Sequence, residues 1–196
     1  MRRALPWVLF VVTACGGDID PSSGVDAAPG SIDAPAGGVD APGGVGEPAE
    51  LAGITLAHNE ARAAVGVPPL TWDPALAAIA TAWVQKCTDV EAPIGLVDHN
   101  AGRSTGYPTY VGEDIYASSG TATGPDAVAS WVSEKGDYDY ATNTCASGKI
   151  CGHYTQVVWR ATQKLGCALH QCPNLTYGSS LVCDYGPGGN DGSRPY

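Results

Sequence analysis

From about Leu51 onward the chain switches between helical and strand periodicity. "LAGITLAHNEARAAV", residues 51–65, places apolar positions at helical spacing and stops at Gly66 with Pro68-Pro69 beyond, which predicts a first helix with a marked end. "WDPALAAIATAWVQKC" predicts a second, with Asp73 as N-cap, Pro74 at the first helical position, and Leu76, Ile79, Ala80 and Trp83 on one face. A third begins at Pro125-Asp126 and carries Val128, Trp131 and Val132. "KLGCALHQC" and "SSLVCDYG" read as two strands of a hairpin, joined by the turn-rich "PNLTYG". Helices before strands make the class α+β. "YTQVVW", residues 154–159, is β-branched and aromatic enough for a strand, and a short helix fits as well.

The N-terminal quarter has a different pattern. Met1-Arg2-Arg3 is a short basic stretch, an apolar run covers residues 5–12, and Ala14 stands before Cys15, the layout of an export signal over residues 1–14. The run is too short to span a bilayer as a helix. "VTAC", residues 12–15, resembles the lipobox of bacterial lipoproteins, so lipidation of Cys15 is expected. Residues 24–44 are three seven-residue repeats, "GVDAAPG", "SIDAPAG" and "GVDAPGG". Residues 16–50 hold seven acidic residues and no basic or aromatic one, too little apolar surface to fold. Residues 15–50 are therefore expected to be a lipid-anchored, disordered linker rich in Asp, Pro, Gly and Ala, and residues 51–196 the folded domain.

Charge and cysteine count narrow the function classes. With ten Lys and Arg against twenty Asp and Glu, the net charge is −10, which argues against a nucleic-acid partner, because affinity there comes mostly from neutralised phosphates. One Phe against five Trp and nine Tyr makes tryptophan and tyrosine supply much of the core's bulk. Seven cysteines are an odd number for an oxidising compartment, and setting Cys15 aside leaves six. Cys87, Cys145, Cys151, Cys167, Cys172 and Cys183 can form three disulfides in fifteen connectivities.

Candidate chemistry is sparse. Glu134 lies three positions after Trp131, so in a helix it continues the apolar face, near a C-terminus where the macrodipole disfavours a carboxylate. Either it has a tertiary partner, or the helix end is frayed and Glu134 and Lys135 are both in water. Of the four histidines, His58, His99, His153 and His170, no two are three to five residues apart, so spacing carries no metal signature. "GRSTG", residues 102–106, matches the G-x-S-x-G elbow but lacks the strand before and the helix after it, which leaves Ser104 a loop serine.

Several longer motifs carry a resemblance. "GHYTQVVWRAT" at Gly152 and "LVCDYGPGGN" at Leu181 resemble the two signatures of the CAP superfamily (cysteine-rich secretory proteins, antigen 5 and pathogenesis-related proteins). "HNEAR" at His58, "LTWDPALAAIA" at Leu70, "VGEDIY" at Val111 and "SWVSEKGDYDYATNTC" at Ser130 fall in the family's order, and the pattern is most similar to plant pathogenesis-related proteins of class 1. The resemblance implies a disulfide-stapled three-layer α-β-α sandwich around a small antiparallel sheet, with "GHYTQVVW" as a short helix. It implies disulfides Cys145–Cys151, Cys167–Cys183 and Cys87–Cys172. It also implies a cleft tetrad of His99, Glu113, Glu134 and His153. The "GED" of Gly112-Glu113-Asp114 departs from the family's "GEN" but keeps the glutamate. "PGGNDGSRPY", residues 187–196, resembles a peptide released by some plant members, with one residue fewer between Asn190 and Pro195.

Two imidazoles and two carboxylates suit a divalent metal, zinc first, with water completing the shell. The resemblance further implies a small apolar lipid ligand, a sterol or fatty acid, in a groove that the loop of residues 118–125 is expected to border. The expectation is a monomeric, extracytoplasmic binding protein, joined to the bacterial cell envelope through Cys15 or secreted if that cysteine is unmodified. The alternative is a metal-dependent hydrolase or peptidase using the same tetrad. No residue outside the tetrad presents itself as a nucleophile, so binding is expected over catalysis.

Overall fold

The computed structural model describes residues 46–196. The export signal, Cys15 and the seven-residue repeats lie outside the described residues.

The first helix, α1 (Ile54–Ala63), begins later than its apolar spacing predicts. Residues 49–51 form a separate 3₁₀ turn, and the Glu47 carboxylate accepts from the amides of Gly53 and Thr55 at 2.6 and 2.9 Å, fixing the start of α1 from outside. A two-residue strand, β1 (Thr71–Trp72), leads into α2 (Pro74–Val84). Asp73 caps α2 as predicted, its side chain accepting from Ala75 and Leu76, with Pro74 at the first position. Then come β2 (Gly112–Ser118) and α3 (Gly124–Ser133), the latter capped by Thr123. A small ribbon of β3 (Tyr138–Asp139) and β4 (Thr144–Cys145) precedes α4 (Gly152–Val157). The predicted hairpin closes the chain as β5 (Lys164–Gln171) and β6 (Ser179–Gly186).

The main sheet has the order β1-β5-β6-β2, antiparallel except for the short parallel β1–β5 pair. Alternation along the strands sorts the core into two layers. Leu165, Cys167, Leu181, Cys183 and Tyr185 pack with Leu51 of the 3₁₀ turn and with Ile54, Val128, Trp131 and Val157 of the helical layer of α1, α3 and α4. Ile115, Ala168 and Val182 point the other way and pack with Ala80 and Val84 of α2. With helices on both faces, every residue of β6 is buried. The close fit of α2 requires Gly166, where a Cβ would collide with the Ala77 nitrogen and stand 2.6 Å from the Asp73 oxygen. This is the three-layer sandwich the resemblance implied.

All three expected disulfides are present: Cys87–Cys172 ties the residue after α2's last turns to the end of β5, Cys167–Cys183 crosses β5 and β6, and Cys145–Cys151 joins β4 to the start of α4. "YTQVVW" forms no strand. Tyr154 and Val157 are buried from a helical turn, so tertiary packing overrides strand propensity there. The last residues lie against the body, with the Pro195 carbonyl accepting from the Arg160 amide at 2.7 Å and the Tyr154 and Tyr196 hydroxyls 3.0 Å apart.

Candidate functional site

Glu134 does have a tertiary partner. It ends α3, and its carboxylate reaches the first turn of α4, where Oε2 accepts from the backbone amides of His153 and Tyr154 at 3.0 and 3.1 Å. Oε1 accepts from Nδ1 of His153 at 2.6 Å. One carboxylate therefore caps a helix that has no side-chain cap of its own and orients an imidazole on it. Trp131, one turn earlier on α3, stacks on the His153 ring with centroids 6.4 Å apart. Burial alone would pull His153 down, but the hydrogen bond to Glu134, with the charge of that carboxylate, more than offsets it and holds His153 above the usual histidine range.

The second pair is built the same way from different elements. Glu113 points from β2 with its side chain fully buried, and its Oε1 accepts from Nδ1 of His99 at 2.7 Å and from the Asn100 amide at 2.9 Å. The tetrad thus stands as two histidine–glutamate pairs, 14 and 19 residues apart in sequence. In both, Nδ1 is turned to the carboxylate, which leaves Nε2 as the free ring nitrogen. Gln156 of α4 fixes β2 against α4 so closely that a Cβ on Gly112 would collide with its Oε1.

His99, Glu113 and His153 line one cavity of about 410 Å³, together with Asp98, Asp114 and Asn190. Its apolar walls are Ala92, Pro93, Leu96, Val97, Ile115 and Ile150, with Glu91 at the mouth. The cavity follows the edge of β2 that β6 does not cover. Asn190 holds the α4 side: it donates to the Gly152 carbonyl at 2.8 Å and accepts from the Thr155 hydroxyl at 2.7 Å, with its backbone at φ 61°. Residues 118–125 do not line this cavity. That segment lies beyond the far end of β2 and leads into α3.

Metal fit follows from the same bonds. Each glutamate already accepts from its own histidine and from backbone amides. Among the described residues, no group of three or more His, Cys, Asp or Glu side chains is gathered to hold an ion. The atoms left over by these bonds are Nε2 of His99 and of His153 and Oε2 of Glu113, which has no hydrogen-bond partner among the described residues.

Behind the cavity lies a buried polar network that the sequence did not announce. His58 on α1 donates from Nδ1 to the Ile54 carbonyl at 2.8 Å, so its Nε2 accepts from the Tyr185 hydroxyl at 2.9 Å. Burial pulls His58 down to about 4, leaving it neutral. Asp114 also faces the Tyr185 hydroxyl, whose single proton is already directed to His58. Asp114 is pushed up to about 8, first by burial, and its Oδ2 has no partner among the described residues. On the opposite sheet face Asp184, the cross-strand neighbour of Glu113, is likewise pushed up to about 8 by burial and by the Glu113 charge. The one sequence signal was the change from "GEN" to "GED", which replaces an amide with an acid at Asp114.

His170 lies on β5 and does not line the cavity. Ser104 is in a loop, where its hydroxyl accepts from the Val111 amide.

The residue profile of the cysteine-rich secretory protein family, CAP, matches the chain over residues 55–185. The chain is 46% identical over 142 residues to a pathogenesis-related protein of PR-1 type from Sambucus nigra, covering 71% of this chain and 78% of that one. It is 46% identical over 142 residues to pathogenesis-related protein 1A of Nicotiana tabacum, covering 71% and 77%. Among solved structures, venom allergen-like protein 4 of Schistosoma mansoni superposes with a TM-score of 0.56 at 24% identity, over 76% of this chain and 94% of that one. That last likeness is one of fold.

Proposed function

Because the chain belongs to the CAP, or cysteine-rich secretory protein, family, we propose that it is an extracytoplasmic binding protein that takes a small apolar lipid into the His/Glu cleft. The observation that carries the reading is the cavity itself. Six of its fourteen lining residues are Ala, Pro, Leu, Val or Ile, and a few convergent polar groups stand at one side, the usual make-up of a small-molecule site. Three disulfides place folding in an oxidising compartment. The hydrolase reading gains no support from the geometry, because both glutamates, the groups that would act as general base, are engaged with a histidine and with backbone amides. We extend the proposal to the N-terminal region, with Cys15 as the lipidated anchor residue. The intact mass of the chain extracted from its own membrane tests this, since acyl increments on a chain starting at Cys15 support the anchor and an unmodified chain removes it.

The ligand reading is tested by methyl NMR of the full chain titrated with 1-octanol, a neutral amphiphile. The expected result is saturable shifts at the methyls of Leu96, Val97, Ile115 and Ile150. Shifts confined to other methyls, or none, overturn the proposal.

A further inference from the structure

Resting on the binding reading above, we propose that the cleft selects by head group, accepting neutral or cationic amphiphiles and turning away anions such as ionised fatty acids. Several backbone amides around the cavity are taken by the protein's own carboxylates. Asp98 takes the amides of Val90 and Glu91 at 2.8 and 3.1 Å, and Asp89 takes that of Gly95 at 2.8 Å. Glu113 takes the Asn100 amide at 2.9 Å, and Glu134 takes those of His153 and Tyr154 at 3.0 and 3.1 Å. Four carboxylates, on the segment before β2, on β2 itself and at the end of α3, thus crowd the surroundings of the cavity and take six of its amide donors.

No lysine or arginine replaces those donors, since none of the described ones lines the cavity. The neighbouring cations are engaged elsewhere. Lys149, beside Ile150, lies 3.6 Å from the Asp137 carboxylate. Lys86 sits over the Trp83 ring, and Arg103 donates to the carbonyls of Asn100 and Val111 and to the Tyr110 hydroxyl. Each histidine faces its own glutamate, so a proton on either ring makes a neutral pair rather than a free cation. What remains facing a ligand is Glu91, exposed at the mouth with no side-chain partner among the described residues, and Asp98.

An anion drawn into this half-enclosed site loses water and meets carboxylates with no lining lysine or arginine among the described residues to offset them, which is costly. An ammonium gains Glu91 and Asp98, and a hydroxyl can use a free imidazole Nε2. The apolar wall is the same for all three, so the head group decides.

The test is calorimetric titration of the full chain at pH 7 and low salt with 1-octanol, octylammonium and octanoate, which share one tail. Octanoate is expected to bind at least tenfold more weakly than 1-octanol, and octylammonium at least as tightly. Glu91→Lys, at an exposed position with no side-chain hydrogen bond, is expected to close most of that gap. Octanoate binding as tightly as 1-octanol overturns the inference and leaves the binding reading standing. A gap unchanged in Glu91→Lys overturns the charge account of it. If none of the three binds, the binding reading itself falls, and the selectivity with it.

Discussion

Asp114 shows how a single atom's valence constrains a buried site. The Ile54 carbonyl can only accept, so it fixes the tautomer of His58; that directs the Tyr185 proton; and Asp114 is left facing an oxygen with nothing to donate. A neutral carboxyl is the form that fits, in keeping with a value near 8. The consequence for stability has a definite sign. The folded group holds its proton up to about 8 while the unfolded one releases it near 3.8, so the folded state binds more protons between those values and stability falls as pH rises across that window. Asp114→Asn removes that titration. Unfolding free energies of the variant from urea titrations are expected to fall less between pH 4 and 8 than those of the parent, by up to about 1.4 kcal/mol per pH unit. A parallel slope would show that Asp114 ionises freely. Arg62 is the opposite case, a buried cation without a carboxylate. Its guanidinium donates to the carbonyls of Pro68, Val157, Trp159 and Thr162. Arg62→Met strands these acceptors and is expected to cost about 3 kcal/mol or more in chemical unfolding. Arg62→Lys should recover only part, since an ammonium cannot reproduce the fork.

At the scale of elements, α4 is too short to hold itself, and Glu134 of the neighbouring helix supplies the acceptor for its first amides. Two functions of that carboxylate can be separated. Glu134→Gln keeps an oxygen for the α4 amides but removes the charge, so His153, now governed by burial, is expected to titrate lower than in the parent in a proton NMR titration. Glu134→Ala loses the cap as well and is expected to cost about 1–2 kcal/mol by the same unfolding assay. A His153 titration identical in all three proteins would remove Glu134 as its cause.

At the scale of the whole molecule, the disulfides differ in what they hold. Cys87–Cys172 closes 85 residues and joins the α2 layer to the hairpin, whereas Cys145–Cys151 closes only 6. Replacing both residues of the long-range pair with serine is expected to cost roughly 2–5 kcal/mol, and replacing the short pair less. Thermal melts of the two double variants check the order. A larger loss for the short pair would mean that strain or local packing at α4 outweighs loop entropy.

The sequence alone determined three of the helices and the closing hairpin. Asp73-Pro74, Gly66 and the two β-rich runs after Lys164 are local signals, and local chemistry suffices to place a cap, a stop and a hairpin. Motif resemblance supplied the family, the disulfide pairing and the tetrad, none of which spacing could yield, because the paired residues lie 14 and 19 positions apart. Periodicity did not mark β2, whose first four residues are buried on both faces and include two acids, so no alternation signals a strand. Motif resemblance also implied that "GHYTQVVW" is helical, where propensity left strand and helix open. Only the tertiary structure decided that the tetrad divides into two oriented pairs and that Asp114 and Asp184 are enclosed. Those outcomes depend on which distant groups share a hydrogen bond or a wall, and packing, which local propensity does not contain, determines them.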